Sequence, residues 1–128
     1  MEDKKLKELT GPAMEWMGVA VTIIDPKGAL LYYNRHAAGI LDRKPEYIGK
    51  NVHSHHRKAT SNRKLDRMLQ DFQKGRTEPF HYEARPYGKT IVVTLSPIFE
   101  DGRFIGCTQC VQLKEDIEKA NPKTSVYG

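Results

Sequence analysis

The stretch from Val19 to Asn34, which reads VAVTIIDPKGALLYYN, places the strongest constraint on the fold. Two runs of mostly branched and aromatic residues, Val19–Ile24 and Ala29–Tyr33, flank Asp25-Pro26-Lys27-Gly28. Proline presets φ at the second position of a turn, and glycine readily adopts the positive φ that chain reversal needs. Branched and aromatic residues favour extended structure, so the stretch predicts an antiparallel hairpin. Because an isolated hairpin is marginal in water, further strands or a helix must cover it.

The size and composition of the chain predict one globular domain. It has 128 residues, 38% of them hydrophobic and 29% charged, which is enough apolar material for a core. No apolar run approaches the roughly 20 residues of a membrane span, and the N-terminal MEDKKLKEL lacks the apolar segment of a signal peptide. We therefore expect a cytoplasmic protein with no membrane partner. The net charge of +5 fits exposed lysines, and no nucleic-acid-binding motif accompanies it.

The rest of the chain adds helices and three more strands. Apolar residues at 65, 68, 69 and 72 predict a helix over 62–74, ended by Gly75, and residues 3–17 predict a partly helical segment that Gly11-Pro12 interrupts. The remaining predicted elements are short helical turns at 36–41 and 45–48, strands at 79–84, 89–98 and 103–113, and a trailing helix at 115–120. This order predicts an α+β fold, with a five-stranded antiparallel sheet and helices on one face.

Three segments carry a resemblance to a known family: IIDPKGALLYYN, IGKNV and GRFIGCTQCVQLKEDI. Together they resemble a PAS domain, the small bacterial sensory module, over residues 17–118. The resemblance implies a sensory module of signal transduction that binds a small ligand, forms a homodimer, or does both, and so regulates a signalling protein. Residues 1–16 are then a helical cap or dimerisation segment, and residues 119–128 a C-terminal tail.

A narrower resemblance concerns Val52–Thr60, which reads VHSHHRKAT. It is similar to a Val-x-x-Cys-His-Pro-x-x-Ser stretch in a subset of PAS modules, some of which are thought to bind haem. His56 matches the histidine of that stretch, His55 replaces its cysteine, and Arg57 replaces its proline. The resemblance implies haem as a possible cofactor, with His56 or His53 as the axial ligand of the iron. The candidate cofactor-binding residues are His53, His55, His56, Arg57, Met68 and Cys107.

Each of these features also has a structural interpretation. The histidines can belong to a polar loop that faces water or caps the following helix. Cys107 and Cys110 lie three apart on a predicted strand, which puts them on opposite faces about 10 Å apart, beyond the roughly 7 Å that a disulfide spans. We therefore expect no bridge between them. Basic residues near the 62–74 helix fit either an anionic ligand or a solvated helix face, and we favour the solvated face; they are Arg57, Lys58, Arg63, Lys64 and Arg67.

The motifs of common enzymes do not occur in the sequence. It has no P-loop, no dinucleotide-binding glycine fingerprint and no nucleophile elbow. We therefore predict that the chain is not an enzyme but a sensory module that binds a ligand or dimerises. One alternative is a haem-based sensor of gas or redox state. The other is a module that mediates protein association without a ligand.

Overall fold

The computed structural model of this chain describes residues 3–41, 43–52 and 59–120. Among these residues the helices are α1 Asp3–Glu15, α2 Arg35–Ile40, α3 Ala59–Gln73 and α4 Lys114–Lys119. The strands are β1 Ala20–Ile24, β2 Leu30–Tyr33, β3 Phe80–Ala84, β4 Ile91–Glu100 and β5 Arg103–Leu113, and single 3-10 turns span Pro45–Tyr47 and Pro86–Gly88. The prediction of separate segments at 1–16, 17–118 and 119–128 stays a prediction, and residues 121–128 lie outside the described part.

The five strands form one antiparallel sheet in the order β2-β1-β5-β4-β3. This confirms the predicted α+β fold. The first and last strands of the sequence, β1 and β5, are hydrogen-bonded to each other in the middle of the sheet. The β4–β5 hairpin turns at Asp101 and Gly102, both with positive φ (51° and 76°), as a tight hairpin turn requires.

The predicted first hairpin is confirmed, and its turn shows why it forms there. Oδ1 of Asp25 accepts hydrogen bonds from the amides of Lys27, at 2.9 Å, and Ala29, at 2.8 Å. Gly28 has a φ of +93° and donates its amide to the carbonyl of Asp25 at 3.0 Å. The turn therefore closes on its own side chain and backbone, with little help from the rest of the fold.

Helix α3 covers one face of the sheet, which we call the inner face. Its buried residues Leu65, Leu69 and Phe72 follow the predicted helical spacing. The ring centroid of Phe72 lies 5.2 Å from that of Phe80 on β3 and 5.7 Å from that of Phe104 on β5. The helix begins at Ala59 rather than Asn62, and it ends just before Gly75, whose φ is +112°. Burial of this apolar stripe fixes α3 above the centre of the sheet.

Helix α1 differs from its prediction. It runs without a break from Asp3 to Glu15, although Pro12 lies inside it and Gly11 precedes that proline. A proline inside a helix lacks one amide donor and crowds the carbonyl four residues earlier, which is why an interruption was expected. Here the residues from Asp3 to Ala13 are all exposed, so water can satisfy the carbonyl that loses its partner. The amide of Trp16 donates to the carbonyl of Pro12 at 3.0 Å and extends the last turn.

Candidate functional site

The inner face of the two central strands carries a polar pair between apolar ones. Residues directly opposite each other on β1 and β5 share a face of the sheet. The three pairs on the inner face are Ala20 with Val111, Thr22 with Gln109, and Ile24 with Cys107. Thr22 is fully buried, and its Oγ1 makes no hydrogen bond with any residue of the described part of the chain. A hydroxyl buried without a partner costs free energy, so this position is a candidate for contact with something beyond the chain.

Arg43 reaches this polar pair from the segment between α2 and the 3-10 turn at Pro45–Tyr47. Only 8% of Arg43 is exposed, and no other residue with a charged side chain is buried in the described part of the chain. Its Nη2 donates to Oε1 of Gln109 at 3.0 Å. A charged group rarely lies inside a fold unless it is paired or serves a site, and the bond to Gln109 is one of the interactions that Arg43 makes.

Tyr82 completes this group from β3. Burial raises the pKa of its phenol, while a hydrogen bond from Gln109 acts in the opposite direction and lowers that pKa. Tyr82 is half-buried, and its position on β3 lies on the same face of the sheet as Gln109. We call Thr22, Arg43, Tyr82 and Gln109 the Arg43 cluster.

Two of the six candidate residues from the sequence lie in the same core. Cys107 is fully buried on β5, and Met68 is half-buried on α3 and packs against the core cluster that contains Cys107. Burial raises the pKa of the Cys107 thiol to about 12, so the group is a neutral thiol at physiological pH. Cys110 lies on the opposite face of β5, and both cysteines are free, as predicted. Cys107 packs in the core directly opposite Ile24 of β1, and its role in a ligand site stays a prediction.

The other four candidates, His53, His55, His56 and Arg57, lie outside the described residues. In the part that is described, His36 and His81 are exposed to solvent and do not face the core. The same part contains no group of three or more histidine, cysteine, aspartate or glutamate side chains placed to hold a metal ion. Neither of these two histidines is placed as an axial ligand in the core, and the haem hypothesis, which names His56 or His53, stays a prediction.

The basic residues of α3 face solvent where the structure describes them. Arg63, Lys64 and Arg67 are exposed, on the side of the helix opposite its buried stripe. Arg57 and Lys58 lie outside the described residues. The three described side chains agree with the solvated helix face that was favoured from the sequence.

Reasoning from the sequence missed Arg43, Tyr82, Thr22 and Gln109. A single arginine in an irregular segment carries no recognisable pattern, and its partner Gln109 is 66 positions away. The sequence did contain one signal for the site. On each central strand a polar residue, Thr22 or Gln109, stands at a position that the strand alternation directs toward the core, where an apolar residue is expected.

Helix α1 presents a second unusual surface. Four large apolar side chains in α1 and just after it are exposed by 43–69%; they are Leu6, Leu9, Trp16 and Met17. The guanidinium carbon of Arg35 lies 4.1 Å from the centre of the Trp16 ring, which holds the tryptophan beside α2. The helix is tied to the sheet at its end, where the Tyr32 hydroxyl donates to Oε2 of Glu15 at 2.7 Å. This bond and burial, the larger cause, raise the pKa of Tyr32 to about 12.

The comparisons with known proteins agree on the family. The sequence model of the PAS domain matches residues 13–112. The chain belongs to the PAS domain family. No curated protein matches it.

Solved structures of similar shape share the fold of this PAS domain. A C-terminal domain from Streptococcus mutans is 21% identical with a TM-score of 0.69, and the match covers 90% of each chain. The PAS domain of Bordetella pertussis BvgS is 12% identical with a TM-score of 0.66, over 91% of this chain and 93% of that one. A PAS domain from Colwellia psychrerythraea is 13% identical with a TM-score of 0.67, over 84% and 96%. At these identities the likeness shows the fold.

Family membership sets the class of function. PAS domains are, as a class, sensory and non-catalytic modules of signalling proteins; they commonly dimerise, and members can bind cofactors such as flavin or haem. This chain is a sensory signalling module at that level of description. No helix within the described residues is long and apolar enough to cross a membrane.

Proposed function

We propose that this PAS domain binds a small molecule between the inner face of its sheet and α3, and that binding is transmitted through β1 and β5 to α1 and α4. The observation that carries the proposal is the Arg43 cluster. An interior made only for stability would place apolar side chains at Thr22 and Gln109, as it does at Ala20 and Val111 beside them. Burying the Thr22 hydroxyl without a partner lowers stability, and a bound ligand would supply the missing partner.

The same two strands lead to both ends of the domain. β1 follows α1 by a short connection, and β5 passes directly into α4. The amide of Lys114, at the start of α4, donates to the carbonyl of Thr90, and its Nζ lies 3.0 Å from Oε1 of Glu83 on β3. A ligand that binds one arrangement of the central strands more tightly than another shifts the population of both terminal helices.

The test is a screen of small molecules by thermal shift, followed by NMR of the full chain with each molecule that stabilises it. We expect a binder to move the amide resonances of Thr22 and Gln109, and also those of Met14 and Lys114 at the ends of the domain. If no stabilising molecule moves the two central strands, the proposed ligand site is wrong. If the strands respond while the terminal helices do not, the proposed transmission is wrong.

A second function, self-association through α1, has its own observation. α1 contains Gly11 and Pro12, which cost about 1 and about 3 kcal/mol inside a helix, and none of its residues is buried. A helix of this length is marginal in water by itself. We infer that its exposed apolar residues pack against α1 of a second copy, because that contact would stabilise the helix and PAS domains commonly dimerise.

Sedimentation velocity across a range of concentrations tests this second function. We expect a dimer for the wild type and a monomer for the double variant Leu6→Glu, Leu9→Glu. The matched control is Leu31→Glu, which changes a residue on β2 of similar exposure, 50%, and should leave the dimer intact. A wild type that stays monomeric at all concentrations refutes dimerisation, and a dimer that survives the double variant refutes the role of α1.

The haem hypothesis is a third proposal, and it rests on His53 and His56 alone. Haem would supply a ligand-binding iron at this site. Titration with hemin tests it, with His56→Ala and His53→Ala beside the wild type. A sharp, shifted Soret band that one of these variants abolishes supports haem and identifies its ligand. Absence of a specific band in the wild type rules haem out.

A further inference from the structure

The charges of α1 oppose the dipole of the helix. Residues 3–7 carry three lysines and one aspartate, a net charge of +2, whereas residues 8–15 carry two glutamates and no basic side chain, a net charge of −2. A helix has a partial positive charge at its N-terminal end and a partial negative charge at its C-terminal end. The charge pattern therefore destabilises α1 by itself, and none of these charged side chains forms an ion pair with a described residue.

A second copy of α1 that runs in the opposite direction would reverse this mismatch. The lysine-rich half of each helix would then lie beside the glutamates of the other, and the two helix dipoles would attract each other. Two copies that run in the same direction would instead place like charges side by side at both ends. The charges of α1 are thus complementary to those of an antiparallel copy.

The apolar stripe of α1 favours the same arrangement by volume. Leu6, Leu9, Ala13 and Trp16 are exposed and spaced i, i+3, i+7 and i+10, so they share one face of the helix. In an antiparallel pair centred on this stripe, Leu6 faces Trp16 of the other copy and Leu9 faces Ala13, so each contact joins a larger side chain to a smaller one. A parallel pair would set Trp16 against Trp16 and Ala13 against Ala13, which leaves a gap beside a crowded layer.

Trp16 is suited to anchor such a contact. It is 69% exposed, the largest fraction among the exposed large hydrophobic residues of the described part of the chain. The guanidinium carbon of Arg35 lies 4.1 Å from the ring centre and holds the ring from one side. A ring that is already held loses little freedom when a partner covers it, which favours affinity. Glu15, which accepts the bond from Tyr32, lies on the other side of the helix and leaves the stripe free.

We infer that two copies of this chain pair through α1 in opposite directions, with Trp16 of each copy packed against Leu6 of the other. This inference rests on the proposed self-association through α1 and adds its orientation and its anchor. Because each sheet follows the C-terminal end of its own α1, the two sheets lie at opposite ends of the helix pair.

Distances between spin labels measure the orientation. Lys4 and Glu8 are exposed, lie one turn apart and point away from the stripe. The label is attached to Lys4→Cys or to Glu8→Cys in a Cys110→Ser background, in which Cys107 stays buried. At a rise of about 1.5 Å per residue, the antiparallel register offsets two labels at position 4 by about 20 Å along the helix axis and two labels at position 8 by about 10 Å. We therefore expect a longer distance for position 4, whereas a parallel pair gives the same distance for both.

Reversal of charge supplies a second measurement, by sedimentation velocity at low salt. The double variant Lys4→Glu, Lys7→Glu should weaken dimerisation about fivefold or more, because its new carboxylates would lie beside glutamates of the second copy. Acidic residues near the start of a helix favour the isolated helix, so this weakening is not explained by loss of α1. In a parallel pair like charges would face each other before and after the change. Lys27→Glu, which reverses an exposed lysine of the first hairpin, is the matched control and should have no effect.

The role of Trp16 is tested with Trp16→Ala, which should weaken dimerisation about tenfold or more. If this variant dimerises as tightly as the wild type, Trp16 is not the anchor. If the protein dimerises but the two label positions give equal distances, or if the lysine variant behaves like its control, the antiparallel orientation is wrong and self-association stands. If no dimer forms at any concentration, self-association and this inference are both wrong.

Discussion

Replacement of Asn34 should destabilise the domain more than its single small side chain suggests. The residue is 1% exposed, and its amide makes four hydrogen bonds. Oδ1 accepts from the amides of Val21 and Ala37, each at 3.0 Å, and the second of these bonds caps α2. Nδ2 donates to the carbonyl oxygens of Met14, at 2.9 Å, and Val19, at 3.0 Å. All hydrogen-bonding positions of the amide are used, so one side chain joins α1, β1 and α2.

The magnitude follows from these four bonds. Loss of an N-cap side chain costs about 1 kcal/mol. Each of the other three bonds contributes about 1 kcal/mol. This value is a lower bound, because the substitution also leaves buried backbone groups without a hydrogen-bond partner. Asn34→Ala should therefore lower the free energy of unfolding by about 4 kcal/mol, a large part of the roughly 5–15 kcal/mol of a typical domain.

Equilibrium unfolding in urea, followed by circular dichroism, measures this loss. Asn51→Ala is the control, because Asn51 is exposed while its Nδ2 also donates to a carbonyl, that of Lys27 at 2.8 Å. It should cost about 1 kcal/mol or less. If Asn34→Ala were no more destabilising than this control, the four buried bonds would not have the stated value.

A second variant, Asn34→Asp, tests the direction of the bonds. The variant keeps the acceptor oxygen but replaces the NH2 group by a second oxygen, which then faces the two carbonyl oxygens of Met14 and Val19. This arrangement favours the protonated acid in the folded state, so the folded pKa of the new carboxyl rises above its unfolded value of about 4. Because that folded pKa is raised, the variant is most stable relative to wild type below about pH 4 and loses this stability as the pH rises through the folded pKa. A difference from wild type that stays constant between pH 4 and pH 7 would contradict the assigned orientation of the amide.

Two further expectations concern backbone space and thiol reactivity. Gly106→Ala should lower the free energy of unfolding by about 2 kcal/mol or more, because a Cβ there would lie 2.6 Å from the carbonyl oxygen of Ile24. Gly39→Ala in α2 should raise it by up to about 1 kcal/mol, because a Cβ there meets nothing within 4 Å. Urea unfolding measures both variants, and equal effects would refute the clash at Gly106. At pH 8 a thiol-specific reagent should modify Cys110 in the folded protein and Cys107 only after unfolding, because Cys107 is buried and its pKa is about 12. If the folded Cys110→Ser variant reacted rapidly with the reagent, Cys107 would be accessible and this prediction would be wrong.

The parts of the fold that could be predicted are those encoded by local chemistry. The first hairpin closes on Asp25 and Gly28 within its own turn, and α3 follows a stripe of apolar residues at helical spacing. The break predicted at Gly11-Pro12 was wrong, because α1 continues through both residues. The exposed surface of α1 lets water bond the carbonyl that Pro12 leaves without a partner, while the intrinsic cost of proline inside the helix remains.

The Arg43 cluster could not be predicted in the same way, because it depends on pairing between distant strands. Gln109 and Thr22 become neighbours only once β1 and β5 are known to be adjacent and in register. Arg43 joins them from a segment without periodicity, and Tyr82 arrives from the far edge strand. The sequence favoured His53–Arg57 because short motifs are easy to see, whereas a site assembled across a sheet leaves only isolated polar residues at inward positions.

The position of the cluster also bears on how a PAS domain of this kind would report its ligand. Thr22 is adjacent in sequence to Val21, whose amide donates to Asn34, and Asn34 in turn holds the carbonyl of Met14 at the end of α1. A ligand that draws Thr22 toward itself therefore acts one residue away from the bond that seats α1. A ligand that only filled space against Met68 would press on α3 instead and would leave this connection unstrained. Ligand binding and self-association should thus be coupled: if Thr22 senses the ligand, a molecule from the screen that moves the signals of β1 and β5 should change the strength of dimerisation in the wild type and lose that effect in Thr22→Val.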